Sequence, residues 1–307
     1  MNTIERMTKE IVKYSHIKNE ENVKNRLLSE FTLSGINVLD DFYNFKKKND
    51  IDYFQHNENM DKFYTETDSF LFELAAWHCT YDRLQWKINI LNDIQTRFKK
   101  KQNIKILIIG DGLGFDSLFL QQNLINANIS YFEFKDSKSW NFAKNMFNDK
   151  IAGQGEVVMI GELENIKTNY YDIVICLEVL EHLPEPKIVI ENMYNYLNKV
   201  GFVYESESFG AIELLRPTHL ISNNKYVGKI INLFEKASFF YVNRISPRIY
   251  IFSKNRENKS NFIEYFSRKI KNFASHVLFK LKFKIDIKSL DAKYIKLKKE
   301  LNLLDER

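Results

Sequence analysis

Ile104–Ser117, IKILIIGDGLGFDS, sets a short β-branched apolar run directly against three glycines at alternate positions, Gly110, Gly112 and Gly114. The run has the length and composition of a buried parallel strand. Gly110 and Gly112 suit a tight turn at which a ligand meets bare backbone, and Gly114 lets the next helix lie close to the strand. A helix over 115–126 should follow, its free N–H groups and positive dipole end facing that ligand. A glycine-rich turn after a strand fits either a nucleotide-type cofactor or a plain tight turn. The flanking chain decides between them.

Outward from this turn the pattern alternates. Strands are expected at 104–109, 129–134, 156–160, 172–177 and 201–206, with helices near 115–126, 138–148, 186–198 and 223–237. Aromatic and β-branched runs at 239–244 and 248–253, around Ile245-Ser246-Pro247, read as an antiparallel hairpin. The prediction is an α/β fold, a doubly wound, mostly parallel seven-stranded sheet closed by a C-terminal antiparallel hairpin. A helical N-terminal region at 1–100 precedes this domain at 101–254, and a basic helical extension at 255–307 follows it. In the N-terminal region Phe70, Leu74, Trp77, Tyr81, Leu84, Ile88 and Leu91 recur every three or four residues, predicting one long helix over Ser69–Phe98. The extension carries an apolar stripe (Phe262, Phe266, Ile270, Phe273, Val277) and a seam (Leu290, Tyr294, Leu297, Leu301, Leu304) stepping by four and three. Packing back on the domain is the expected use, with self-association or docking on an anionic membrane surface as alternatives.

Composition narrows the class. The 307 residues are 44% hydrophobic and 28% charged, enough apolar content for a sizeable core. The net charge of +5 is uneven: residues 255–307 hold 14 Lys/Arg against 7 Asp/Glu, leaving the rest slightly acidic. Cys79 and Cys176 form no metal-ligand pattern and suit a reducing compartment. The first residues lack the apolar segment of a signal peptide, and no run reaches the roughly 20 apolar residues of a spanning helix. A cytoplasmic protein is expected.

In an open parallel sheet, ligands sit beyond the C-terminal strand ends. Glu133, near the end of the second strand, is either placed to accept both hydroxyls of a ribose or an acid merely ending a strand. Glu162, after the third, is either placed to receive an adenine amino group or an ordinary loop charge. The fourth strand gives the most specific segment, YDIVICLEVLEHLPEP over Tyr171–Pro186, which delivers Glu178, Glu181 and His182 to the rim.

At this point the sequence resembles the class I S-adenosylmethionine-dependent methyltransferases. The family's first motif is matched by Gly110, Gly112 and Gly114, and its second-strand acid by Glu133. Its fourth-strand signature, D-x-V-x-x-x-E/D-V-L-E-H-L-x-x-P, is matched nearly letter for letter by Asp172–Pro186. The resemblance runs from Ile104 to Ser253 and implies S-adenosylmethionine as cofactor, with contacts at Gly110, Asp111, Gly112, Gly114, Glu133, Glu162 and Glu178. Two positions depart from the pattern. Ile108 stands where an acid usually precedes the first glycine, leaving Asp111 to meet the cofactor's ammonium, and Val200 replaces a proline or glycine. A nicotinamide fingerprint would require glycine at position 115, which is Phe115.

The resemblance implies methyl transfer to a small-molecule or sugar/glycan acceptor, at a hydroxyl, by in-line displacement aided by a general base. Such transfer needs no metal, and none is expected. His182 is either a base near the cofactor or a loop-fixing group. His219, in Leu215-Arg-Pro-Thr-His-Leu220, is a base or acceptor contact, or an ordinary loop residue. Arg216 could hold an anionic acceptor, and His78 could reach the acceptor from a lid or simply lie on a helix surface. A nucleic-acid methyltransferase and a non-catalytic scaffold of the same fold are the alternatives. No basic, aromatic-laced face on the domain supports a nucleic-acid partner.

Overall fold

The computed structural model describes residues 2–151 and 156–301. Six helices come first: α1 (Thr3–Tyr14), α2 (Glu20–Thr32), α3 (Ile36–Lys46), α4 (Glu58–Glu66), α5 (Ser69–His78) and α6 (Tyr81–Arg97). Strands and helices then alternate as β1 (Ile104–Ile109), α7 (Phe115–Asn123), β2 (Ala127–Phe132), α8 (Lys138–Lys150), β3 (Val157–Ile160), β4 (Tyr171–Leu177), α9 (Pro186–Tyr196) and β5 (Leu197–Ser206). The chain finishes with α10 (Ile230–Lys236), β6 (Phe240–Arg244), β7 (Tyr250–Ser253), α11 (Phe262–Lys282) and α12 (Leu290–Glu300).

The seven strands form one sheet in the order β3-β2-β1-β4-β5-β7-β6. β3, β2, β1, β4 and β5 are parallel, while β7 runs antiparallel to both β5 and β6. From β1 the chain winds outward to β3 and then returns to β4 on β1's other side. That reversal opens a crevice at the C-terminal ends of β1 and β4. Side-chain alternation feeds two cores. Ile104, Ile106, Ile108, Ile173 and Ile175 face α6–α8, while Leu107, Ile109, Val174 and Cys176 face α9 and α10.

Some expected boundaries shift, each for a local reason. The long helix over 69–98 is two helices, because the Thr80 side chain accepts the Arg83 N–H and caps a new start. The second strand ends at Phe132, so Glu133 stands just beyond it. The helix expected over 223–237 is a 3-10 turn at Ile221–Tyr226 and then α10. Between them Gly228 has φ +66°, and a Cβ there would lie 2.1 Å from the Asn272 carbonyl oxygen of α11.

The C-terminal extension packs back on the rest of the chain. One face of α11 ties to the domain: Tyr265 and Lys269 reach Glu235 at 2.6 and 2.7 Å, and His276 Nδ1 meets the Val227 carbonyl at 2.9 Å. The stripe Phe262, Phe266, Ile270, Phe273 faces outward and is more than half exposed. On α12, Leu290 and Tyr294 join Phe42, Tyr53 and Phe63 in a third core, and Lys298 pairs with Asp40 at 2.7 Å. Leu297 packs at its edge; Leu304 lies outside the described residues. Among the described residues, no helix is long and apolar enough to cross a membrane.

Candidate active site

The crevice at the strand ends is a cavity roofed by α4 and α5, with Gly110, Gly112, Glu133, Glu178, His182, Arg216 and His219 in its lining. Gly110 and Gly112 adopt φ +71° and +55°, the left-handed region open to glycine. The space a side chain would need there is filled by protein. A Cβ on Gly110 would meet Val179 Cγ2 at 2.5 Å, and one on Gly112 would meet Leu74 Cδ1 of α5 at 2.5 Å. Gly114 likewise makes room for Phe147 and Ala143 of α8, not for closer contact of α7 with β1. The turn therefore lets the roof and the β4 loop close on the sheet, while the backbone of Gly110 and Gly112 still lines the cavity.

Glu133 is held in place from two sides. Its Oε2 accepts the Gly112 N–H at 3.1 Å and its Oε1 the Phe134 N–H at 2.9 Å. Burial pushes its carboxyl up, while those two hydrogen bonds pull it back. Asp111 has a different task from the expected one. Its two oxygens accept the Asp116 and Ser117 N–H groups at 3.0 and 2.7 Å, capping α7 away from the cavity. The first turn of α7 is thus already neutralised, and its dipole end is not offered to a ligand. Burial, with the Asp116 charge beside it, pushes the Asp111 carboxyl up to about 7. Asp116 is paired in turn with Arg83 and lies 3.5 Å from Lys87. Ile108, where an acid was missed, is a core residue of β1.

Beyond β4 the backbone turns sharply. Glu178 has φ +57°, an uncommon conformation for a residue with a Cβ. Its Oε2 accepts the Ser208 hydroxyl and lies 3.8 Å from Arg248 Nη1. A 3-10 turn over Leu180–His182 follows. His182 Nδ1 lies 3.0 Å from the Tyr64 hydroxyl of α4 and 3.4 Å from the Thr218 carbonyl. The His219 ring stands perpendicular to that of His182, with centroids 4.6 Å apart. Burial pushes His182 down to about 4, and burial and the nearby His182 and Arg216 push His219 well down, so both imidazoles are neutral at ordinary pH. Glu181 is 1% exposed, and neither carboxylate oxygen finds a hydrogen-bond partner among the described residues.

Besides Asp111 and Gly114, three expected site residues lie apart from this arrangement or at its edge. His78 is outside the lining, with Nδ1 3.6 Å from Asp116 and its ring against Phe115. Glu162 is exposed, 3.8 Å from Lys135, and also outside the lining. Arg216 lines the cavity while paired with Glu213 at 3.2 Å. The roof supplies residues the sequence did not single out: Tyr64 stacked on Phe70 at 5.0 Å, and Glu73, whose carboxyl burial pushes up to about 7. The apolar spacing over 69–98 marked α5 as helical and no spacing singled out α4, and neither carried a sign of which strand ends it would cover.

Comparison with known proteins finds one family match and several solved structures of similar fold. Residues 109–204 match a family described as a methyltransferase domain, a span holding the glycine turn, Glu133 and the β4 segment. Among solved structures, the chain is similar to the DszA carbon methyltransferase, at 11% identity over 82% of this chain and 77% of that one, TM-score 0.51. It is also similar to an S-adenosylmethionine-dependent methyltransferase from Aquifex aeolicus, at 15% identity over 57% and 93%, TM-score 0.42. A third is a magnesium protoporphyrin IX methyltransferase from Synechocystis solved with bound S-adenosylmethionine, at 15% identity over 64% and 96%, TM-score 0.44. No curated protein matches the sequence.

Proposed function

We propose that this class I S-adenosylmethionine-dependent methyltransferase methylates a hydroxyl of a small molecule or sugar that enters beneath the α4–α5 roof. The observation that carries the reading is the pair of neutral imidazoles, His182 and His219, set 4.6 Å apart in the wall of the cavity that also holds Glu133. A neutral imidazole offers a lone pair, which is what an acceptor hydroxyl needs as its proton leaves.

The residues present fit the cofactor. Glu133 is fixed by two backbone N–H groups and keeps acceptor capacity for the two hydroxyls of a ribose. Gly110, Gly112 and Phe134 line the same end, and Glu178 adds a carboxylate beside a ligand that carries positive charge. When bound, S-adenosylmethionine supplies a methyl already activated on a sulfonium. The chain's work is then to orient the acceptor, to exclude water with Tyr64, Phe70 and Trp77, and to receive a proton. Arg216 gives an anionic acceptor a partner at the cavity's edge.

Product analysis tests the reading. The protein with labelled S-adenosylmethionine should methylate members of a panel of hydroxylated metabolites and nucleotide sugars, and the product's label should survive mild base as an ether. Transfer only to amines, carbon acids or nucleic acid would overturn the hydroxyl assignment.

A further inference from the structure

We propose that Glu181, His182 and His219 form a site for one divalent transition-metal cation at the acceptor end of the crevice. One ligand atom from each of the three lies within 4.8 Å of the other two, and all three residues line the cavity. Glu181 is 1% and His219 3% exposed. Both Glu181 oxygens and His219 Nδ1 find no hydrogen-bond partner among the described residues. Buried polar groups left open in this way are costly unless something binds them. The surroundings are short of positive charge as well. Glu205 is fully buried with both oxygens unpartnered and Glu178 Oε1 is unpartnered, against two guanidiniums at the edge, Arg216, shared with Glu213, and Arg248, 3.8 Å from Glu178 Oε2.

The donor set has a chemistry of its own. Two imidazoles and one carboxylate suit a first-row divalent ion with positions left over for oxygen donors. His182 is also held as a ligand would be. Its Nδ1 is engaged by the Tyr64 hydroxyl and the Thr218 carbonyl, which leaves Nε2 as the ligand nitrogen. The chain holds a useful contrast. His78, Asp111 and Asp116 are equally close together, but Arg83 and Lys87 pair with Asp116 and two helix N–H groups occupy Asp111. Among the described residues Asp116 Oδ1 and His78 Nδ1 lack hydrogen-bond partners there too, but that cluster already holds two cationic side chains against its carboxylate, and the one in the cavity wall holds none against Glu181.

The inference deepens the proposed function and rests on it for the nature of the acceptor. A cation at this place favours an acceptor with two neighbouring oxygens, such as a vicinal diol of a sugar, and acidifies the hydroxyl to be methylated. With the lone pairs of His182 and His219 holding the ion, the hydroxyl proton passes to the Glu181 oxygen that the ion leaves free, as the methyl moves from sulfur to oxygen and S-adenosylhomocysteine departs.

The test uses the full chain, stripped with a chelator and titrated with Co2+ followed by visible absorption, with Mg2+ as a hard-cation control. One equivalent of Co2+ should bind with the spectrum of nitrogen and oxygen ligation. Affinity should fall at least ~10-fold in Glu181→Gln, in His219→Ala and in Tyr64→Phe, and should hold in Glu133→Ala. S-adenosylhomocysteine binding, measured on every variant, reports folding and the cofactor end independently. Co2+ bound without S-adenosylhomocysteine would uphold the cation site and remove the methyltransferase reading. S-adenosylhomocysteine bound without stoichiometric Co2+, or Co2+ affinity unchanged in Glu181→Gln and His219→Ala, would overturn the cation site alone.

Discussion

The two ends of the crevice treat their charges in opposite ways. At the β1–β2 end each carboxylate has at least one partner: Glu133 and Asp111 each accept two backbone N–H groups, and Asp116 is paired with Arg83, although its Oδ1 and the facing His78 Nδ1 make no hydrogen bond among the described residues. At the β4–β5 end Glu181, Glu205 and His219 Nδ1 are buried without one. The first end is finished by the fold itself and presents a rigid cradle. The second keeps polar groups open at a cost in stability, which is the usual sign of a place meant for ligands. Stability and function are thus divided between neighbouring strand ends.

Substitutions at the two ends should therefore move stability in different directions. The largest effect is expected for Arg83→Met, which leaves the buried Asp116 short of its closest partner and should cost about 3 kcal/mol in chemical denaturation. Gly112→Ala comes next. It forces a side chain into φ +55° and against Leu74, and should cost about 2 kcal/mol. Adding Leu74→Ala should relieve the clash but not the backbone part, a double-mutant cycle that apportions the two. Glu181→Gln, at the open end, should leave the melting temperature of the ligand-free protein unchanged or higher. A fall as large as that of Arg83→Met would erase the contrast.

The smallest effect concerns pH. Burial, together with the Glu30 charge, raises the Glu73 carboxyl to about 7, above its ordinary value near 4.5. The folded state therefore holds this proton more tightly than the unfolded chain does. Its contribution to stability is present below about pH 4.5 and is lost as pH rises through about 7. Glu73→Gln should accordingly raise the melting temperature relative to the parent by a few degrees at pH 8 and much less at pH 5. An equal shift at both would remove the titration from the account.

The same division governs what could be read from the sequence. The cofactor end is local: a strand, a glycine turn and an acid beyond the next strand lie within 30 residues, and their order alone predicts the sheet and its switch point. The β4 segment carried Glu178, Glu181 and His182 for the same reason. What escaped was long-range. Tyr64 reaches His182 across 118 positions, and nothing in the α4 spacing announces it. Asp111 is ambiguous in the sequence because a helix cap and a ligand contact call for the same residue type beside a glycine turn. His78 stays open between lid and helix surface there because a histidine on a helical pattern does not tell which face is covered. The absence of a spaced metal motif said nothing of a cluster assembled from two loops some 37 residues apart.

One measurement bears most directly on the division of the crevice: calorimetric titration of S-adenosylhomocysteine into the parent chain, Glu133→Ala and His219→Ala. Two charge-assisted hydrogen bonds to the ribose are worth about 3 kcal/mol, so Glu133→Ala should weaken binding by ~100-fold. His219→Ala should stay within about threefold of the parent. Binding that survives in Glu133→Ala and fails in His219→Ala would place the cofactor at the wrong end and contradict the account.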